Sequence, residues 1–203
     1  MMKQQLVFAT NNPHKIAEIQ RQLGDRYTFR SLADIGCDAA IPETADTLEG
    51  NARLKACYVR DHHGQDCFSE DTGLEVFALD GAPGVDTAHY AGPERDAEAN
   101  NTKLLSSLGD RKDRLACFRT VICLLKDGQE HLFEGKCEGR IATFPTGGQG
   151  FGYDPIFIPT EGDGRSFAQM SADEKIAISH RGRAMAQLEA FLKMQPDAAH
   201  PTA

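Results

Sequence analysis

The apolar run Leu6-Val7-Phe8-Ala9 ends directly on Thr10-Asn11-Asn12-Pro13, and this junction constrains the chain more than any other stretch. A short continuous apolar run bounded by polar residues reads as a buried strand. Asn12 is a good helix N-cap. Pro13 is a good first helical residue, because it lacks an N–H that the first turn would leave unpaired anyway. Ile16, Ile19 and Leu23 then recur at helical spacing. A strand feeding straight into an amphipathic helix points to an α/β architecture, with helices laid on the faces of a sheet.

The rest of the chain fits that class. A second helix is predicted over residues 47–62. Residues 67–70 read as a strand ending in a turn at Asp71-Thr72-Gly73, with 74–79 continuing extended until Asp80-Gly81-Ala82-Pro83-Gly84 turns the chain again. Residues 94–108 read as helix, 115–125 as the clearest strand, and Asp127-Gly128 as a hairpin turn into a strand over 131–142. A glycine-rich loop follows, Gly147-Gly148-Gln149-Gly150-Phe151-Gly152. Ser171 and Glu174 have capping-box spacing. The last helix covers 181–194, with Met185, Leu188 and Leu192 on one face, and residues 195–203 read as a frayed tail. Helices at both ends with strands and a long hairpin between them predict one α/β domain over 1–194, built on a mixed sheet.

At 203 residues such a domain buries roughly 70% of the surface its unfolded chain exposes, so it needs neither disulfide nor metal merely to fold. The formal charge of −8 disfavours a general nucleic-acid binder, whose affinity comes from neutralising many phosphates. It is compatible with one small anionic ligand held by a local basic cleft. Six cysteines lie scattered without a C-x-x-C pair, which reads as small core residues in a reducing cytoplasm. No apolar stretch is long enough for a secretory signal or a membrane span.

Five constellations carry possible chemistry, each beside a plainer alternative. Thr10-Asn11-Asn12-Pro13-His14-Lys15 stands where a strand meets a helix N-terminus, which suits phosphate; the same residues also make an ordinary cap with a solvated lysine. Glu43, Glu70 and Asp71 are hard oxygen ligands of the kind that suit Mg2+, or else turn and cap residues. Glu70 and Asp71 point to opposite faces if the strand runs on through them. Lys55 sits within the apolar stripe Leu48, Ala52 and Val59, so it either snorkels or reaches a buried anion. In Gly150-Phe151-Gly152-Tyr153-Asp154-Pro155 the glycines permit close backbone approach and an aromatic ring offers a stacking face to a nucleobase. Asp154 would accept from a purine N–H. The alternative is a tight turn with two core aromatics. Lys175 and Ser179-His180-Arg181-Gly182 put cations in a helix's first turn, against its dipole unless an anion is near; otherwise they form a basic surface patch.

The order of these pieces resembles the inosine triphosphate pyrophosphatase family. The resemblance is carried by Ala9-Thr10-Asn11-Asn12 with Lys15 and Glu18-Ile19, Ser69-Glu70-Asp71-Thr72-Gly73-Leu74, and Gly81-Ala82-Pro83-Gly84. It continues through Gly150-Phe151-Gly152-Tyr153-Asp154-Pro155-Ile156-Phe157 and Glu174-Lys175 with Ser179-His180-Arg181-Gly182. It spans residues 6–192. It implies an elongated, two-lobed α/β fold with a central mixed β-sheet flanked by helices and a nucleotide cleft between the lobes, usually a homodimer. By the same resemblance, residues 10–15 with Lys55 hold a triphosphate. Glu43 and Asp71 hold Mg2+, and Asp71 is the base for the attacking water. Thr72 contacts substrate; Phe151, Gly152, Tyr153 and Asp154 receive the base; and Lys175, His180 and Arg181 read its 6-oxo edge. The activity implied is hydrolysis of ITP, XTP and their deoxy forms to monophosphate and pyrophosphate. Two departures stand out: His89 replaces an Arg that many members carry, and Glu70 replaces an Asp common in bacterial members. The competing readings are a Maf-like nucleotide pyrophosphatase of other base preference, a non-catalytic nucleotide-binding regulator, and a nucleic-acid module.

Overall fold

A computed structural model describes residues 4–194; the predicted tail, 195–203, lies outside the described residues. Strand β1 (Gln4–Phe8) runs into helix α1 (Pro13–Leu23), with Pro13 in its first turn. Asn12 Oδ1 caps the helix, accepting from the backbone N–H groups of His14 at 3.0 Å and Lys15 at 3.3 Å. Strand β2 (Tyr27–Arg30), absent from the sequence reading, pairs parallel with β1. Helix α2 (Leu48–His63) starts at the Thr47 hydroxyl and stops at left-handed Gly64.

Strand β3 (Cys67–Val76) corrects an expectation, because it runs unbroken through Asp71-Thr72-Gly73. Gly73 serves a close approach rather than a turn: a Cβ there would lie 2.8 Å from the Gly84 carbonyl on β4 (Pro83–Gly84), which pairs with β3. Residues 77–79, expected extended, form a 3-10 turn instead. Helix α3 (Ala97–Leu108) is capped by Asp96. Strands β5 (Leu115–Lys126) and β6 (Gln129–Ile141) form the predicted hairpin. Asp127 (φ 50°) and Gly128 (φ 77°) take the positive angles that a two-residue hairpin turn demands. Strand β7 (Phe157–Pro159), helix α4 (Ala172–Ile178) and helix α5 (His180–Met194) complete the described residues.

The seven strands form one mixed sheet, ordered β2-β1-β3-β5-β6-β7 with β4 beside β3. Alternation along β5 sorts the core into layers. Ile122 and Leu124 meet α1 and α5 through Ile19, Leu23, Met185 and Leu188. Val121, Cys123 and Leu125 meet α2 through Leu48, Ala52, Ala56 and Val59. Beyond them Leu74, Val76, Phe118 and Ile141 pack with α3 and with Tyr153, Ile156, Phe157 and Phe167. Five of the six cysteines are buried and all are free. No helix among the described residues is long and apolar enough to cross a membrane.

Candidate active site

The continuity of β3 decides where its two acids go. Cys67 and Ser69 face α2, Phe68 faces α1 and α5, so Glu70 takes the second side and Asp71 the first. The three acids grouped in the sequence therefore separate, Glu70 to one face and Asp71 with Glu43 to the other.

On the α1/α5 side Glu70 is fully enclosed. Arg181 Nε donates to both its oxygens, at 3.0 and 2.9 Å, and Lys15 Nζ lies 2.9 Å from Oε1. Burial alone would raise the Glu70 carboxyl, but Arg181 and Lys15 overcome it and hold it well below the usual carboxylate range. Glu18 extends the network, accepting from Lys175 at 2.7 Å and Arg181 at 2.6 Å. Lys175 also donates to Asp154 at 2.6 Å. The unfavourable placement of cations at the α5 N-terminus is thereby answered, because Arg181 meets two carboxylates. His180 is neutral: burial, then Arg181 and Lys175 beside it, push its imidazole well below the ordinary value. Its ring stacks on Phe118 at 4.4 Å, and among the described residues its Nδ1 has no hydrogen-bond partner. Ser179 Oγ caps α5 by accepting from Gly182 N at 3.1 Å.

On the α2 side Lys55 Nζ bridges two carboxylates, Glu43 Oε1 at 2.6 Å and Asp71 Oδ1 at 2.9 Å. Burial would lower the Lys55 ammonium, but the two carboxylates raise it. Burial lifts Asp71 above the ordinary range despite Lys55 and Lys15 nearby. Glu43 is lowered, its burial outweighed by Lys55 and then Arg95. Asn51 Nδ2 approaches Asp71 Oδ2 at only 3.3 Å.

Across the opening the glycine-aromatic loop is folded on itself. Gly150 (φ 76°) has no room for a side chain, since a Cβ would stand 2.0 Å from Asp154 Oδ2. The Phe151 ring has Lys175 Nζ at 4.7 Å and Arg181 Cζ at 5.4 Å from its centroid, and the His14 ring stacks on it at 4.9 Å. Asp154 and Tyr153 are already engaged within the protein. The Asp154 carboxylate accepts from Lys175 and from Phe151 N, and the Tyr153 hydroxyl donates to Thr87 O at 2.8 Å. Thr72 Oγ1 shares a 2.7 Å hydrogen bond with Thr120 and receives Arg181 at 3.4 Å.

These pieces enclose one cavity of about 810 Å³, a size suited to a nucleotide-scale ligand. Every residue to which the resemblance gives a site role lines it, from Thr10 through Lys15 to Lys175, His180 and Arg181; Glu70 does not. Residues 6–191 match the Ham1 family. The chain belongs to that family. A dITP/XTP pyrophosphatase of Porphyromonas gingivalis is 55% identical over 190 residues, covering 93% of this chain and 97% of that protein. One from Flavobacterium psychrophilum is 54% identical, covering 93% and 99%. The Ham1 protein structure of Coxiella burnetii superposes with a TM-score of 0.86 at 36% identity, covering 95% and 100% of the two chains. That of Staphylococcus aureus gives 0.84 at 39%, covering 94% and 98%.

Four residues in or bonded to this candidate site escape the sequence reading as site residues. Glu18 follows Lys15 by three positions and Asn51 precedes Lys55 by four, so each shared a helix face with a residue already chosen. Phe118, which carries His180, was legible only as a core position of β5. Arg95 gave no signal at all. It lies in the loop before α3, at a positive φ of 56°, and its guanidinium donates to Glu43 Oε2 at 2.9 Å and His89 Nε2 at 2.8 Å. A guanidinium thus stands beside His89 after all, delivered from six residues further along.

Proposed function

We propose that this Ham1 chain hydrolyses non-canonical purine nucleoside triphosphates, ITP, XTP and their deoxy forms, to the monophosphate and pyrophosphate. The observation that carries it is the pairing of Glu43 and Asp71 across Lys55 inside the cavity that also holds Phe151, Lys175, His180 and Arg181. The names of the P. gingivalis and F. psychrophilum relatives support the same activity.

Glu43 and Asp71 already grip a cationic group between them, the Lys55 ammonium, so the donor set fits a divalent cation as well. Two carboxylates suit Mg2+, which keeps several waters and shares the rest of its shell with substrate phosphates. When bound, Mg2+ neutralises phosphate charge and lowers the pKa of coordinated water. The chain's own residues do the rest. Thr10, Asn11 and Asn12, with Pro13 and His14 in the first turn of α1, line the phosphate end, and Lys15 and Lys55 supply charge there. Thr72 faces the substrate. Asp71 accepts the proton of the water that attacks the α-phosphorus, at Oδ2, whose one contact with Asn51 is long. Its raised pKa makes it a stronger base than an exposed aspartate.

Phe151 stacks on the purine, with Gly152 allowing the backbone close approach. Tyr153 and Asp154 shape that pocket rather than touch the base edge, Asp154 by aiming Lys175. Lys175 and Arg181 can only donate. A 6-oxo group satisfies them, whereas the 6-amino group of adenine opposes donor to donor and leaves buried polar groups unpaired, at about 1–3 kcal/mol each. The enzyme acts as a cytoplasmic homodimer, without nucleic-acid or membrane partners. A panel of ITP, XTP, dTTP, UTP and GTP with Mg2+ and pyrophosphate detection tests the proposal. ITP and XTP are expected to be the best substrates; a preference for dTTP or UTP would favour the Maf-like reading. Binding of ITP without pyrophosphate release would favour the regulator.

A further inference from the structure

The buried ion-pair network bordering the cavity is not charged in favour of a polyanion. Four cations, Lys15, Lys55, Lys175 and Arg181, are each bonded to at least one of five carboxylates, Glu18, Glu43, Glu70, Asp71 and Asp154. His180 is neutral. The enclosed network therefore carries one negative charge in excess, and a triphosphate tail brings several more. A buried cation released from its carboxylate to bind phosphate would leave that carboxylate uncompensated, which is costly.

Arg95 differs from all four. Its side chain is 57% exposed, against 17% for Lys15 and 10% for Lys55, and it lines the same cavity. It holds the outer oxygen of Glu43, Oε2, while Lys55 holds Oε1. An exposed ion pair is weak enough to exchange partners, and a guanidinium presents paired donors that match phosphate oxygens. We infer that Arg95 is a substrate-binding residue that leaves Glu43 to clasp the polyphosphate tail, supplying the mobile positive charge that the enclosed network lacks. This rests on the pyrophosphatase reading above.

Tripolyphosphate binding measured by calorimetry in EDTA isolates the tail contact from metal and base. Arg95→Ala is expected to weaken it about tenfold, and Arg95→Lys less, since the charge remains but the paired donors do not. Binding of IMP, which has no tail beyond the α-phosphate, is expected to stay within about twofold, and the melting temperature of both variants close to wild type. Unchanged tripolyphosphate affinity in Arg95→Ala would overturn the inference. So would a loss of IMP binding equal to the loss of tripolyphosphate binding, or a defect confined to the Mg2+ requirement, which would reduce Arg95 to a holder of Glu43. Failure of wild type to release pyrophosphate from ITP is a separate result. It would overturn the activity proposed for the site, while the tripolyphosphate titrations still decide Arg95.

Discussion

Glu70 and Asp71 are successive residues of one strand, both buried, both bonded to cations, and the fold treats them in opposite ways. Glu70 sits among Arg181 and Lys15, with three hydrogen-bonding or ion-pair contacts of 3.0 Å or less, and its carboxyl is pulled far down. Asp71 has one good partner, Lys55, which it shares with Glu43, and burial lifts its carboxyl above the ordinary value. A carboxylate surrounded by matched donors is locked in its charged form and fixes the elements around it. One left short of donors is poised to take a proton or a cation. The sheet thus separates an acid locked in its charged form from one left short of donors by a single residue step.

The sharpest way to break this comparison is Asp71→Asn. Removing the carboxylate while keeping its shape is expected to lower turnover of ITP about a thousandfold, with ITP binding retained within a few-fold and the melting temperature little changed. Glu43 still holds Lys55 in that variant. A turnover within about tenfold of wild type would show that Asp71 is not the base.

The matching substitution one residue earlier, Glu70→Gln, should act on stability instead. It leaves the buried Arg181 and Lys15 short of a counter-charge, a loss of about 3–5 kcal/mol. For a domain of this size that corresponds to a fall of roughly 6–20 °C in melting temperature. Thermal unfolding of the variant beside Asp71→Asn tests the division directly. Equal losses in the two would mean that the faces are not distinct.

The layout behind this division was readable from particular residues. Asn12-Pro13 announced the strand-to-helix step because capping chemistry is local, and Ile16, Ile19 and Leu23 marked the face that α1 buries. Asp127-Gly128 did the same for the hairpin. In sequence β3 reads as ending at Glu70, because a glycine that permits close approach of another backbone looks like one that makes a turn. The candidate site residues stand out mostly through the order of motifs, and the structure gathers them, Glu70 excepted, round one cavity. What the sequence could not convey were partnerships across distance: that Asp154 is spent on Lys175, that Glu18 joins Lys175 to Arg181, and that Arg95 reaches Glu43. Such contacts depend on how loops close in space, and no periodicity encodes them.

Acidification separates the two acids by a smaller effect. Glu70's folded value lies below its unfolded value of 4.5, so its stabilisation is fully present above that pH and is lost only as pH falls further. Asp71 is shifted the other way, above 3.8. Its protonated form is favoured in the folded state, so ionising it as pH rises subtracts from stability. The acid limb of kcat/KM is therefore expected to lie above the ordinary aspartate range, falling about tenfold per pH unit. Over the same interval the melting temperature should hold. A profile in which activity and melting temperature fall together would make the acid limb a consequence of unfolding.

The smallest effect comes from a pair that, judged by distance, looks as strong as any in the site. Arg21 Nε lies 2.5 Å from Asp173 Oδ1 and its Nη2 donates to Oδ2 at 2.7 Å, joining α1 to α4, the helices that carry Lys15, Glu18 and Lys175. Pairing raises the guanidinium and lowers the carboxyl, but both side chains are more than half exposed. Water solvates each nearly as well as its partner does, and the long side chains lose rotamer freedom to meet, so little remains. Arg21→Ala is expected to leave turnover unchanged and to shift the melting temperature by about a degree or less. A fall as large as that of Glu70→Gln would show that the α1–α4 contact, rather than the buried charges beneath it, holds the cavity's outer wall in place.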